Sequence, residues 1–190
     1  MRQALATLVT EGLIKKQRGK GSIVQHPKGG IGILNIVGTT DSLGDAALET
    51  HVISPPSREP WPDDFPFALT ERLRAMACVQ LTRTRHIEGT PVFFERTFLP
   101  DEHIAGFERH DLTDASLFRT LSKYHGIKVT GGKQRIWALA AAREIAEHLA
   151  CDPGQPIVRL YKAYETNRPG YTFFTMLWCR TDHHHLLGYL

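Results

Sequence analysis

Residues 79–87 read Val-Gln-Leu-Thr-Arg-Thr-Arg-His-Ile. Side chains alternate faces along a strand, so Val79, Leu81, Arg83, Arg85 and Ile87 would all point one way. Two arginines would thus share an apolar face. A guanidinium does not deprotonate to escape burial, so such a pair needs carboxylate or phosphate partners, from the protein or from a ligand. This face is the first candidate for an anion-binding pocket. The alternatives are a strand read one residue out of register, or a pair satisfied wholly by internal carboxylates. One carboxylate is in view. A turn around Glu88-Gly89-Thr90 would fold Pro91–Leu99 back as a hairpin. A three-residue loop would set Glu95 opposite Arg83 and Phe93 opposite Arg85, whereas a two-residue loop would send Glu95 to the other face.

Positioning these groups takes an ordinary globular body. The 190 residues are 42% hydrophobic and 23% charged, enough for one main domain plus a small appendage. There is no run of 18 apolar residues and no signal-peptide pattern, so no membrane partner is expected and the expected location is cytoplasmic. Cys78, Cys151 and Cys179 are odd in number and lie among apolar residues, which suits reduced thiols better than disulfides or zinc. The net charge of +3 is uneven: Arg2, Lys15, Lys16, Arg18 and Lys20 face Glu11 alone in residues 1–26, giving +4 there and −1 over the rest. A polyanion-binding appendage on a near-neutral body is the expectation.

Residues 1–12 read as a helix stopped by Gly12, followed by short strands at Leu13–Gln17 and Ser22–Gln25 around Arg18-Gly19-Lys20-Gly21. Helix plus basic hairpin is the second half of a winged helix-turn-helix. The order sets residues 1–26 as that partial module, 27–31 (Pro-Lys-Gly-Gly-Ile) as a linker, and 32–190 as a second domain. Within it, the patterns predict a strand at Ile31–Val37, a proline-rich connection at Val52–Pro66 and a helix at Ala68–Met76. The arginine hairpin comes next. A helix at Ser116–His125, begun by Asp114 or Ser116 and ended by Gly126, a strand at Lys128–Ala138, a helix at Ala140–Ala150 and strands at Ile157–Thr166 and Tyr171–Arg180 complete the chain. Hairpins with scattered helices indicate an α+β fold around an antiparallel sheet, with no nucleotide fingerprint and no cofactor site.

Met1-Arg2-Gln3-Ala4-Leu5, Glu11-Gly12-Leu13-Ile14 and Arg18-Gly19-Lys20-Gly21-Ser22 resemble the recognition helix and wing of GntR-superfamily transcription regulators. The remainder resembles the effector-binding UTRA domain of the HutC-type branch, through Arg83-Thr84-Arg85, Gly89-Thr90-Pro91, Glu95, Leu99-Pro100, Ser116-Leu117-Phe118, Asp152-Pro153-Gly154 and Arg180-Thr181-Asp182. The resemblance implies a chorismate-lyase-like antiparallel sheet and a homodimer. It also implies a small anionic metabolite as effector, and operator DNA as partner. Its effector pocket maps onto Arg83, Arg85, Glu95, Ser116 and Phe118, with Thr39, Thr40 and Ser42 from the loop Gly38–Ser42. DNA contacts map onto Arg2, Gln3, Lys15, Lys16, Arg18, Gly19, Lys20 and Gly21. Two departures stand out. Phe173 and Cys179 occupy last-strand positions where sugar-phosphate-binding relatives carry glutamate and tyrosine, which favours a flatter or more apolar acid. Met1 falls just before the arginine, so the two helices that brace a recognition helix would have to precede it, and operator specificity should be lost without them.

Other readings carry less. In an extended segment His183 and His185 point together but lack a third ligand, so no metal is expected. His86, His103, His110, His125 and His148 read as surface or capping residues. A lyase-like enzyme with Glu95 as general acid or base, or a stand-alone binding module, are the functional alternatives.

Overall fold

The computed structural model describes residues 14–17, 21–24, 30–31, 48–182 and 185–186. The chain divides into two compact units, residues 47–181 and residues 1–46 with 182–190.

In the smaller unit, β1 (Ile14–Gln17) and β2 (Gly21–Val24) form an antiparallel hairpin with Gln17 opposite Gly21. The wing expected from the sequence is therefore a hairpin, and its loop residues Arg18, Gly19 and Lys20 lie outside the described residues. Gly21 has φ +87, a conformation that glycine adopts without a Cβ penalty. β3 (Gly30–Ile31) pairs in parallel with β10 (His185–Leu186). The expected helix at residues 1–12, most of the expected strand at residues 31–37, and His183 also fall outside the described residues.

The larger unit is one six-stranded antiparallel sheet in the order β4-β5-β6-β9-β8-β7. The strands are β4 (Leu48–Glu59), β5 (Cys78–Ile87), β6 (Thr90–Pro100), β7 (Val129–Ala140), β8 (Pro156–Thr166) and β9 (Thr172–Cys179). The expected α+β class holds. The proline-rich connection expected from residue 52 does not: most of it is β4, an edge strand. Pro55 and Pro56 fit there because an edge strand has a side that needs no ladder partner, and the pairing to β5 breaks register around them, between Val52 and Ser54 and between Ser54 and Ser57.

Three short helices flank the sheet. α1 (Glu71–Ala75) is capped by the Thr70 hydroxyl, α2 (Leu117–His125) starts at Ser116 and ends on Gly126 in the left-handed region, and α3 is Arg143–Leu149. The expected start of α3 at Ala140 is corrected, since Ala140 is the last residue of β7. One sheet face packs Val79, Leu81, Leu99 and Phe173 against Leu117 and Leu121 of α2 and Phe107 of a 3-10 turn (Phe107–Arg109). The other packs Phe94, Phe98, Phe174 and Trp178 against Ile145 and Leu149 of α3 and against Trp61 and Phe67. The central strands β5, β6 and β9 are thus covered on one face by α2 and the 3-10 turn, and over part of the other by α3, Trp61 and Phe67.

β7 lies close over β8 at Gly132, where an added Cβ would sit 2.6 Å from the Ala163 carbonyl oxygen. Backbone cannot yield as a side chain would. Gly132→Ala should cost about 1 to 3 kcal/mol, read as a lower urea midpoint at unchanged slope.

Candidate functional site

The arginine pair sits where alternation places it, and the hairpin reaches that register by an unforeseen route. The turn is the two-residue kind, Glu88-Gly89, with φ +51 and +75, as type I′ hairpin turns require. Ile87 pairs with Thr90 and His86 with Pro91, a register that would turn Glu95 away from the arginines. A bulge then intervenes: Arg85 pairs with Phe93, leaving Val92 as the extra residue. From there on Glu95 stands opposite Arg83. The Val92 carbonyl is not orphaned, because the Arg180 amide donates to it at 3.1 Å.

Arg83 is 0% exposed, Arg85 2% and Glu95 4%. Arg83 Nη2 donates to Glu95 Oε1 at 2.7 Å and Arg85 Nε to Oε2 at 3.1 Å, while the Thr97 hydroxyl donates to Oε1 at 3.0 Å. Both carboxylate oxygens are engaged. Arg83 Nη1 reaches the Ala115 carbonyl at 3.4 Å, immediately before α2, and Arg85 Nη1 the Thr50 hydroxyl at 3.4 Å. Arg83 Nε is buried with no hydrogen-bond partner. Burial pushes the Glu95 carboxyl up, but the two guanidinium groups and their hydrogen bonds outweigh it and hold it down at about 2. Arg85 is lowered to about 10, by burial first and by Arg83 second, against the pull of Glu95.

Ser116, 8% exposed, is the N-cap of α2, its Oγ accepting from the Arg119 amide at 3.4 Å. That places the positive end of the helix dipole beside Arg83. Phe118, in the first turn of α2, meets Tyr164 and Phe173 edge-on at 5.1 and 5.8 Å between centroids, and Tyr164 and Phe173 stack at 4.8 Å. Phe173 is wholly buried beneath, so it supports the aromatic wall without forming its surface. Cys179 is also wholly buried, its thiol donating to the Arg180 carbonyl at 3.1 Å. Thr39, Thr40 and Ser42 lie outside the described residues, as do Arg2 and Gln3. Lys15, Lys16 and Gly21 lie on the β1–β2 hairpin.

Sequence reasoning missed Lys162, Thr175, Thr97 and Thr50, all buried. Lys162 pairs with Thr175 across β8–β9, and Thr175 with Thr97 across β6–β9, which continues the polar floor from the arginines to the far side of Glu95. Burial lowers the Lys162 ammonium to about 8, partly offset by Glu95. Tyr164 is pushed upward by burial and by Glu95, so it stays a neutral phenol. The signal was available: alternation along Leu160, Lys162, Tyr164 sets the lysine on the face of Phe173 and Thr175.

Cys78, Cys151 and Cys179 are free thiols. Among the described residues there is no cluster of three or more metal-ligating side chains, and no helix is long and apolar enough to cross a membrane.

The site is thus a buried Arg–Glu–Arg cluster in an antiparallel sheet, set beside the start of α2 and an aromatic cluster. The whole fold recurs in YydK, described as a possible transcriptional regulator, from Bacillus subtilis, with a TM-score of 0.72 at 18% identity, covering 100% of this chain and 81% of that one. It recurs in PhnF from Mycobacterium smegmatis at 0.69 and 20%, covering 100% and 83%. The probable fructoselysine utilization operon transcriptional repressor of Escherichia coli is 26% identical over 188 residues, 96% of this chain and 74% of that protein. The regulator GmuR of Bacillus subtilis is 27% identical over 172 residues, 84% and 68%. The family model of the UTRA domain matches residues 68–185. The chain belongs to the UTRA-domain family.

Proposed function

We propose that the sheet domain binds a small anionic metabolite over Arg83, Arg85, Glu95 and Ser116, and that the chain acts as a homodimeric regulator, in repressor mode, on a palindromic operator. The supporting observation is the Arg83–Glu95–Arg85 cluster. One carboxylate is saturated by two guanidinium groups, and Arg83 still keeps a buried donor without an acceptor. Phe118 and Tyr164 supply an aromatic wall, and Phe173 and Cys179 offer a sugar no hydroxyl partners. Ligand binding shifts operator affinity through a coupling energy of about 1 to 3 kcal/mol. Residues 1–26 form the DNA-facing part, with Arg2 and Gln3 toward bases and Lys15, Lys16, Arg18 and Lys20 toward phosphates across the Gly19 and Gly21 turn. The expected compartment is the cytoplasm. Names of relatives such as the fructoselysine repressor support the repressor mode.

An enzymatic role for Glu95 is disfavoured physically. A carboxyl held at about 2, with both oxygens accepting from arginine, is a weak base and no acid near neutrality. The other reading, a binding module without DNA contact, separates from the regulator in one set of measurements. Sedimentation at micromolar concentration should give a dimer, and it should survive deletion of residues 1–31 because the body carries it. DNA affinity of the intact regulator should fall steeply with salt, its slope easing by about one unit when Lys16 or Lys20 is neutralised. A monomer, or DNA affinity indifferent to salt, would refute the assignment.

A further inference from the structure

α2 carries Ser116 of the proposed site at its start and ends on His125. There, His125 Nε2 lies 3.2 Å from Nε2 of His110, just beyond the 3-10 turn. The ring centroids are 5.4 Å apart with planes at 86°. The difference between the two separations is about twice the distance from an imidazole centroid to its own nitrogen, so the rings meet head-on. Two metal ligands would instead converge at an angle on a third point. The arrangement is that of a single N–H···N hydrogen bond, with one ring donating and the other presenting a bare nitrogen.

We propose that this pair is a proton-sensitive latch on the C-terminal turn of α2. With one proton between the facing nitrogens the latch is closed. With a proton on each, two N–H groups and two cations face each other and the contact must open. The surroundings sharpen this. Arg168, from the β8–β9 connection, donates to the His125 carbonyl at 2.8 Å, and Lys123 on α2 sits over Tyr124, whose ring lies 4.6 Å from that of His110. Phe107 of the 3-10 turn packs 5.6 Å from the His125 ring. Burial, His110 and Arg168 all disfavour a charge on His125, lowering it from its ordinary 6.5. A histidine lowered in the folded state lends stability above its unfolded value and loses it as pH falls through about 6.5.

The latch does not depend on the effector reading and is tested without ligand. In the imidazole NMR spectrum of the intact protein, the His125 ring should titrate below the ordinary histidine value. Titration at the ordinary value would overturn the proposal. Between about pH 7.5 and 5.5, the melting temperature should fall about 2 to 4 °C further in the wild type than in the double variant His110→Gln, His125→Gln, which cannot hold two protons. Parallel melting curves would overturn it as well. The NMR arm uses the unmodified chain and so stands even where the variant folds poorly.

Discussion

Glu95→Gln lowers the melting temperature by about 10 °C at neutral pH, the largest stability effect expected of a conservative change in this protein. Glutamine keeps the shape but removes the charge that Arg83 and Arg85 share at 2.7 and 3.1 Å. What remains is two guanidinium groups, 0% and 2% exposed, repelling each other without their common counter-ion. Removing one partner of a buried ionic cluster costs about 3 to 5 kcal/mol, because the survivors stay desolvated. A chain of this size loses about 2 to 4 °C per kcal/mol. The displacement of Glu95 from 4.5 to about 2 is of the same order, about 3 kcal/mol. A carboxyl lowered in the folded state stabilises above its unfolded value, so the wild type should surrender this contribution as pH falls from 4.5 toward 2, and Glu95→Gln should show no such loss. Calorimetric scans over that range decide it. If the variant melts within a degree or two of wild type, the arginines are not held by Glu95. Sulfate should narrow the gap by supplying the missing negative charge.

The part of this cluster that was legible in the sequence is the part governed by period-two alternation. Arg83 and Arg85 are two apart between apolar neighbours, so their common face follows from strand geometry alone. Glu95 was legible only conditionally. Glu88-Gly89-Thr90 fits a two- or a three-residue loop, the two-residue loop that forms puts Glu95 by itself on the wrong face, and the bulge at Val92 that corrects it has no local signature. β4 was misread because Pro55 and Pro56 argue against a ladder, and that rule is relaxed at a sheet edge, a property of topology rather than of the segment. Lys162 was passed over for a different reason. Its neighbours alternate as the arginines' do, but a single lysine in a strand is ordinarily solvated, and its burial is set by Thr175 and Thr97 from two other strands. The end of α2 at Gly126 was legible to the residue and its start only to Asp114 or Ser116, since both are capping chemistry and the structure uses Ser116.

Arg85→Ala should behave in the opposite way to Glu95→Gln, costing ligand rather than fold. Truncating Arg85 takes the partner of Glu95 Oε2 but leaves Oε1 with Arg83 at 2.7 Å and Thr97 at 3.0 Å, so the sheet keeps its central ion pair. It also removes the mutual repulsion by which Arg83 lowers Arg85. The expected stability loss is therefore smaller than for Glu95→Gln. An anionic ligand seated over the pair, by contrast, loses its charge-assisted bonds to one guanidinium, about 1.5 to 3 kcal/mol, or about 10- to 150-fold in affinity. The measurement is titration calorimetry of wild type and Arg85→Ala with whichever carboxylate, phosphate or sulfate raises the wild-type melting temperature most in a screen that includes neutral polyols. Arg85→Lys restores charge without the planar fork and should recover a minor part of the loss. If Arg85→Ala binds the best anion unchanged, or if neutral compounds alone stabilise the protein, then Arg83, Glu95 and Arg85 are an internal ionic strut and the effector lies elsewhere on the sheet.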